Sequence, residues 1–258
     1  MDVLYGVTDR LSLDLTVPFA SGSGSVMAGT PASHRVYEYR ASGLGDISFQ
    51  AEYWLSNPSK TSKIAGSVGL GIKAPTGSDE VQGTVFSAAG DVERPIDEGF
   101  QLGTGGWEVL LRAQGTAKIA GPFYAYASGY YGLSLNEKTD VIQAGSLRGV
   151  PDTYSGRLGV AYLLPVLDGL VFSLGGRVNG VPVRDVIGGG DLYWRRPGYE
   201  IFVEPGLTWT LGANTASISY PIRAYQNKLD SLLDRSLGRR IGADFVPSLF
   251  LASYARRF

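Results

Sequence analysis

Residues 42–55 read SGLGDISFQAEYWL, and across them Asp46, Ser48, Gln50 and Glu52 alternate with Ile47, Phe49, Ala51 and Tyr53. Successive side chains of an extended strand point to opposite faces, so one face of this segment is polar and the other apolar. The segment is too acidic for a strand buried on both faces and too apolar for a surface loop. Its two faces need two different solvents.

The same period recurs along the chain. RLSLDLTVPF (10–19) sets Leu11, Leu13, Leu15, Val17 and Phe19 against Ser12, Asp14 and Thr16. SKIAGSVGLGIKAP (62–75) sets Ile64, Val68, Leu70 and Ile72 against Ser67 and Lys73. WEVLLRAQGTAKI (107–119) opposes Trp107, Val109, Leu111 and Ala113 to Glu108, Arg112, Gln114 and Lys118. Further on, Arg157, Arg177, Glu200 and Glu204 oppose Leu158, Val178, Ile201 and Val203. The pattern predicts about eleven strands of about ten residues, long by soluble standards.

Short turns are expected near 6–10, 56–61, 119–122, 164–169 and 211–214, carrying Asn57-Pro58, Gly121-Pro122, Asp168-Gly169 and Gly212-Ala213-Asn214. Long polar connections are expected at 20–43, 75–105, 135–152, 181–197 and 225–242. Short and long alternate, as they do when up-and-down strands have tight turns at one end and long loops at the other. NKLDSLLDRSLGRR (227–240) predicts two or three helical turns packed on the rim of the sheet, with Leu229, Leu232, Leu233 and Leu237 on one side.

Composition narrows the function classes. The 258 residues include 36 glycines and 15 tyrosines but no cysteine, two methionines and one histidine, His34. The net charge of -1 removes the electrostatic basis for a nucleic-acid partner. Without cysteine there is no disulfide or thiolate metal site. No run approaches the roughly 18–20 apolar residues of a membrane-spanning helix. Tilted strands of nine to eleven residues do span a bilayer, and aromatic residues gather at strand ends, as at Tyr53, Trp54, Trp107, Phe123, Tyr131, Tyr199 and Trp209. The expected fold is therefore all-β: a transmembrane antiparallel up-and-down β-barrel in a bacterial outer membrane, forming one domain over 1–258.

Energetics assigns the faces. An Arg or Lys facing lipid at mid-membrane costs roughly 2–4 kcal/mol, and Asp or Glu somewhat less. Turning the strands round would spend more than a typical net stability of about 5–15 kcal/mol. The polar set must face inward, which gives Asp14, Asp46, Gln50, Glu52, Lys73, Glu108, Arg112, Tyr126, Arg157, Arg177, Glu200 and Glu204 as candidate pore-lining residues.

Three stretches resemble a known family. YGVTDRLSLDLTVPF (5–19), GLGDISFQAEYWL (43–55) and GLGIKAPTG (69–77) are similar to the bacterial outer-membrane transporters of the MetA pathway of phenol degradation. That family shows a Tyr-Gly-Leu-Thr-Asp turn, a Gly-Leu-Gly-Asp strand opening and a strand ending Lys-x-Pro-Thr-Gly; here Val7 replaces the Leu, and Ala74 precedes Pro75. The resemblance lies in the first third of the chain. It implies a barrel and uptake of small, often aromatic compounds, and it supplies no site residues. Because such barrels have even strand numbers, a twelve-stranded parent is expected, whose signal peptide and first strand precede this sequence.

Chemistry in the loops is sparse. His34 sits in PASHRVYEYR with no serine motif around it, so no enzyme is expected. Asp79, Glu80, Asp91, Glu93, Asp97 and Glu98 follow no calcium-loop spacing, which predicts a solvated acidic surface and no metal. GLGIKAPTGS lacks the Gly-Lys-Ser/Thr of a phosphate loop, and no cofactor is expected. Two functional readings stand. One is a passive channel for small aromatic or amphipathic solutes in contact with outer-membrane lipid. The other is a structural barrel that anchors or completes an envelope assembly with a protein partner or its own copies.

Overall fold

The computed structural model describes residues 1–30, 33–56, 63–87, 90–187, 192–240 and 247–258, with backbone alone at 26–30, 33–34 and 85–87. The turn expected at Asn57-Pro58 and the side chain of His34 lie outside the described part. The wall begins with β1 (Asp2–Gly6) and β2 (Leu11–Thr16), which lead into a hairpin of β3 (Phe19–Thr30) and β4 (Ser33–Leu44). β5 (Ser48–Trp54) and β6 (Ile64–Lys73) rejoin the wall, then β7 (Gln82–Ser87) and β8 (Gly90–Pro95) form a second hairpin before a 3-10 turn at Glu98–Phe100. β9 (Glu108–Ala120) and β10 (Phe123–Ser134) precede a small pair, β11 (Lys138–Gln143) and β12 (Ser146–Gly149). β13 (Thr153–Leu163), β14 (Leu170–Val181) and β15 (Gly198–Leu211) continue the wall. It ends with β16 (Asn214–Ser219), β17 (Ile222–Lys228), the helix α1 (Leu232–Ser236) and β18 (Leu251–Arg256).

Twelve of these strands form one antiparallel sheet in the order β1-β2-β5-β6-β9-β10-β13-β14-β15-β16-β18, with β17 also paired to β15. β16 and β17 are two halves of one stave, broken at Tyr220-Pro221, and β15 pairs with both. The twelve strands therefore make eleven staves among the described residues. No pairing joins β1 to β18 among them, so the sheet has two edges. The tight turns follow their residues: Gly121, Gly169 and Gly212 all have positive φ, which costs glycine nothing.

The alternation read from the sequence carries through to exposure. In β5, Phe49 and Tyr53 are exposed while Ser48 and Glu52 are buried. In β14, Phe172 and Leu174 face outward, as do Ile201, Val203, Leu207 and Trp209 of β15. Aromatic pairs mark both ends of the outer face. Phe123 and Tyr162 lie with ring centroids 4.8 Å apart at the turn end, and Tyr131 stacks on Tyr154 at 6.4 Å at the loop end. Among the described residues no helix is long and apolar enough to cross a membrane; the strands supply the apolar belt.

Two sequence expectations need correction. Three of the long connections are themselves built of β-hairpins: β3/β4 with up to twelve paired positions, β7/β8 with six, and the short β11/β12. Their charges obscured a strand period that HRVYEYRASG (34–43) carries openly. The helix is also shorter than expected, five residues capped by the Ser231 side chain, which accepts from the Asp234 N–H. Leu233 is buried there but Leu237 is exposed, so the apolar stripe does not extend to a third turn.

Among the described residues, most of the buried apolar side chains lie at the loop end. Ile96, Val141, Val150, Trp194 and Leu233 all belong to connections, whereas the staves contribute Leu110 and Phe202. That end is a small packed layer covering the mouth of the sheet.

Candidate functional site

Register places the charged and aromatic candidates on one face in continuous rows. One row runs Ser12, Glu52, Gly69, Arg112, Tyr130, Ser155, Asn179 and Glu200, each the direct partner of the next. A second runs Trp54, Ser67, Gln114, Ser128, Arg157, Arg177 and Phe202. A third joins Tyr126, Gly159, Gly175 and Glu204. The third row explains two glycines. A Cβ at Gly159 or at Gly175 would lie 2.5 Å from the Tyr126 hydroxyl oxygen, so the ring lies over the floor that these glycines clear.

The densest cluster surrounds Glu204, which is 2% exposed at its side chain. Arg157 donates from Nε (3.2 Å) and Nη2 (2.7 Å), and Arg177 donates from Nε (2.7 Å) and Nη2 (3.0 Å). The Ser219 hydroxyl donates at 2.9 Å. Two guanidiniums on one carboxylate leave a net positive charge, held in planar, two-point contacts that keep both side chains fixed. The Arg157 guanidinium also lies 5.9 Å from the Tyr126 ring centre, within cation–π range.

The other candidates divide between wall and mouth. Glu52 accepts from Ser67 Oγ and from Gln114 Nε2, so a hydroxyl and an amide hold it and no cation does so among the described residues. Asp14 faces Arg112 at 3.9 Å, a loose pair with the Arg 44% exposed. Gln50 lies beside Gly71, where its own Cγ fills the space that a Cβ would need. Glu200 pairs with Arg223 at 3.6 Å. At the mouth, Lys73 Nζ contacts Glu108 at 2.6 Å and Asp46 at 3.8 Å. Asp46 is a fastener more than a lining group. Its Oδ1 accepts from the Gly77 N–H at 3.0 Å, and its Oδ2 accepts from the Thr104 N–H at 2.8 Å and hydroxyl at 3.0 Å. Both ends of the 75–105 connection are thus tied to one wall residue.

Several groups that matter were missed in the sequence. The acids of that connection are not a uniformly solvated surface. Asp79 pairs with Arg148 at 2.7 Å, Asp97 pairs with Arg196 at 2.8 Å, and Glu98 lies under the loops, where burial pushes its carboxyl up to about 6. The buried Arg195 makes a two-point pair with Asp185 at 2.8 and 2.7 Å. Asp152, fully buried, accepts from the Ser134 and Val186 N–H groups and from the Tyr131 hydroxyl. A usable signal was WRRP (194–197), two arginines directly after a tryptophan in a connection read as polar. Among the described residues, no three His, Cys, Asp or Glu side chains are grouped to hold a metal ion.

Comparison with solved structures adds the decisive likeness. An outer-membrane channel from Pseudomonas putida F1 superposes with a TM-score of 0.54 at 16% identity, over 86% of this chain and 73% of that one. The fold is that of an outer-membrane β-barrel. No family profile and no curated protein matches the chain.

Proposed function

We propose that the chain lies in a bacterial outer membrane and acts there as a passive channel for small solutes, without enzymatic chemistry. The observation that carries this reading is a series of cavities along the inner face, each with charged side chains in its wall, behind an apolar outer belt. One of about 340 Å³ lies at the mouth, one of about 210 Å³ lies beside Tyr126, and one of about 270 Å³ lies beside Arg177. The last two share Arg157, which makes the Tyr126–Arg157–Arg177–Glu204 group the candidate constriction. A pore that narrow selects by the charge and hydrogen-bonding groups at its throat. Trp54 and Tyr126 in the wall of the second cavity suit planar, weakly polar solutes, in keeping with the resemblance to the MetA-pathway transporters. The likeness to an outer-membrane channel supports the same reading.

Planar-bilayer recording tests it. Discrete conductance steps and swelling of liposomes in small solutes are expected, and silence in both would remove the channel. The packed loop layer favours a second reading, a structural barrel serving an envelope assembly, and silence would leave that one standing. Eleven alternating staves leave β1 and β18 running in the same direction. One further antiparallel strand between them would close the sheet at an even twelve, and the proposal includes it. In that case a cysteine pair at Leu4 and Tyr254, in a chain that has no other cysteine, does not form a disulfide in the membrane; a disulfide there would contradict a twelfth strand.

A further inference from the structure

The cavity at the mouth has an uneven set of charges. Pro18 and Leu102 give it an apolar side, and Asp46, Lys73, Glu98 and Arg148 give it a charged one. Three of the four are already matched. Lys73 lies on Glu108 and Asp46, Arg148 lies on Asp79, and Asp46 is saturated by three donors from the 75–105 connection. Glu98 differs. Among the described residues no donor reaches its carboxylate, and the arginines near enough to act on it are committed elsewhere, Arg196 to Asp97 and Arg195 to Asp185. A half-buried carboxyl in a walled cavity without a donor of its own is costly to keep ionised. A ligand that brings the donor removes that cost.

We propose that this cavity is a recognition subsite for a small amphipath with an apolar body and a polar end that donates hydrogen bonds, an ammonium or a hydroxyl. At about 340 Å³ it lies within the size range of small-molecule sites. The apolar body rests on Pro18 and Leu102, and the donor meets Glu98. A carboxylate-headed compound of the same shape is rejected, because each cation on the wall has its own carboxylate and the one free group is an acid. This inference rests on the channel reading, for which it names the solute class.

Binding to the purified full chain in detergent, at pH 7.5, tests it with three probes of one shape: benzylamine, benzyl alcohol and benzoate. Benzylamine and benzyl alcohol bind, and benzoate binds at least about tenfold more weakly, a difference of about 1.4 kcal/mol. Glu98→Gln keeps an acceptor but not the charge, so benzylamine weakens about tenfold while benzyl alcohol changes by less than about threefold. Ala20→Trp, which fills the cavity from its exposed β3 side, abolishes binding of both and provides a test should Glu98→Gln fail to fold. Benzoate binding as tightly as benzylamine, no binding of any probe, or binding unaffected by either substitution would each overturn the subsite. Binding without conductance would refute the channel and leave the subsite standing; conductance without binding would do the reverse.

Discussion

The staves and the loop layer above them are stabilised in different ways. In the wall, neighbouring strands satisfy one another's backbone groups, apolar side chains remain outside, and the polar ones pair within. Among the described residues only Leu110 and Phe202 become buried apolar side chains there. In the loop layer, Trp194, Val150 and Ile96 are packed from water, and ion pairs such as Arg195–Asp185 are closed off with them. The wall needs lipid to complete it, whereas the loop layer is packed like the interior of a soluble protein. A substitution therefore reports which solvent its residue was selected for.

The largest expected effect is in the loop layer. Asp185→Ala removes the carboxylate that makes a two-point pair with Arg195, which is 1% exposed at its side chain, and the acceptor of the Asp152 N–H. A loss of about 3–5 kcal/mol from the loop layer is expected. It is read as protease cleavage in 181–197 while the wall still migrates as a folded barrel on an unheated gel. Loss of the whole barrel would show that the two regions are one cooperative unit. Next is Leu174→Arg on the outer face, at about 2–4 kcal/mol if Leu174 lies near mid-membrane. The same exchange at Thr116, on the inner face, is expected to cost far less, and equal costs would break the assignment of faces.

Glu98 gives an effect of about 2 kcal/mol with a definite sign. Its folded value of about 6 lies above the ordinary 4.5, so the folded state holds the proton more tightly. Stability is then full below about pH 4.5 and falls by roughly 2 kcal/mol as pH rises through 6, because burial penalises the carboxylate by more than Arg148, Arg195 and Arg196 offset. Subtracting the pH profile of Glu98→Gln from that of the unaltered chain isolates the term, and a flat difference would contradict it. The smallest effect on stability is Arg112→Gln. Its exposed 3.9 Å pair with Asp14 is worth less than about 1 kcal/mol. Under the channel reading its mark is on ion selectivity, measured as a shift in reversal potential under a salt gradient.

The wall was legible in the sequence because a period of two admits one register of inside and outside, and a slip by one residue would put Arg157 or Glu204 into lipid. The loop layer was not, because its partners carry no period. Arg148 finds Asp79 from 69 residues away, and Glu98 looks like one more acid in DVERPIDEGF. Asp46 shows the limit within the opening stretch itself. Alternation placed it on the polar face, but no pattern could say that it would be occupied by the backbone of a loop thirty and more residues further on.

The break at Tyr220-Pro221 has a mechanical consequence. Pro205 and Pro221 lie on facing staves and neither has an amide hydrogen, and the Tyr220 N–H donates to the Pro205 carbonyl at 3.0 Å where they meet. A chain drawn out by its C-terminus under load would release β18 and β16 as one zipper. It would then pause, since β17 is paired not to β18 but to β15, in a ladder that keeps the register of β16 across the prolines and shifts only between Ile201 and Phe202.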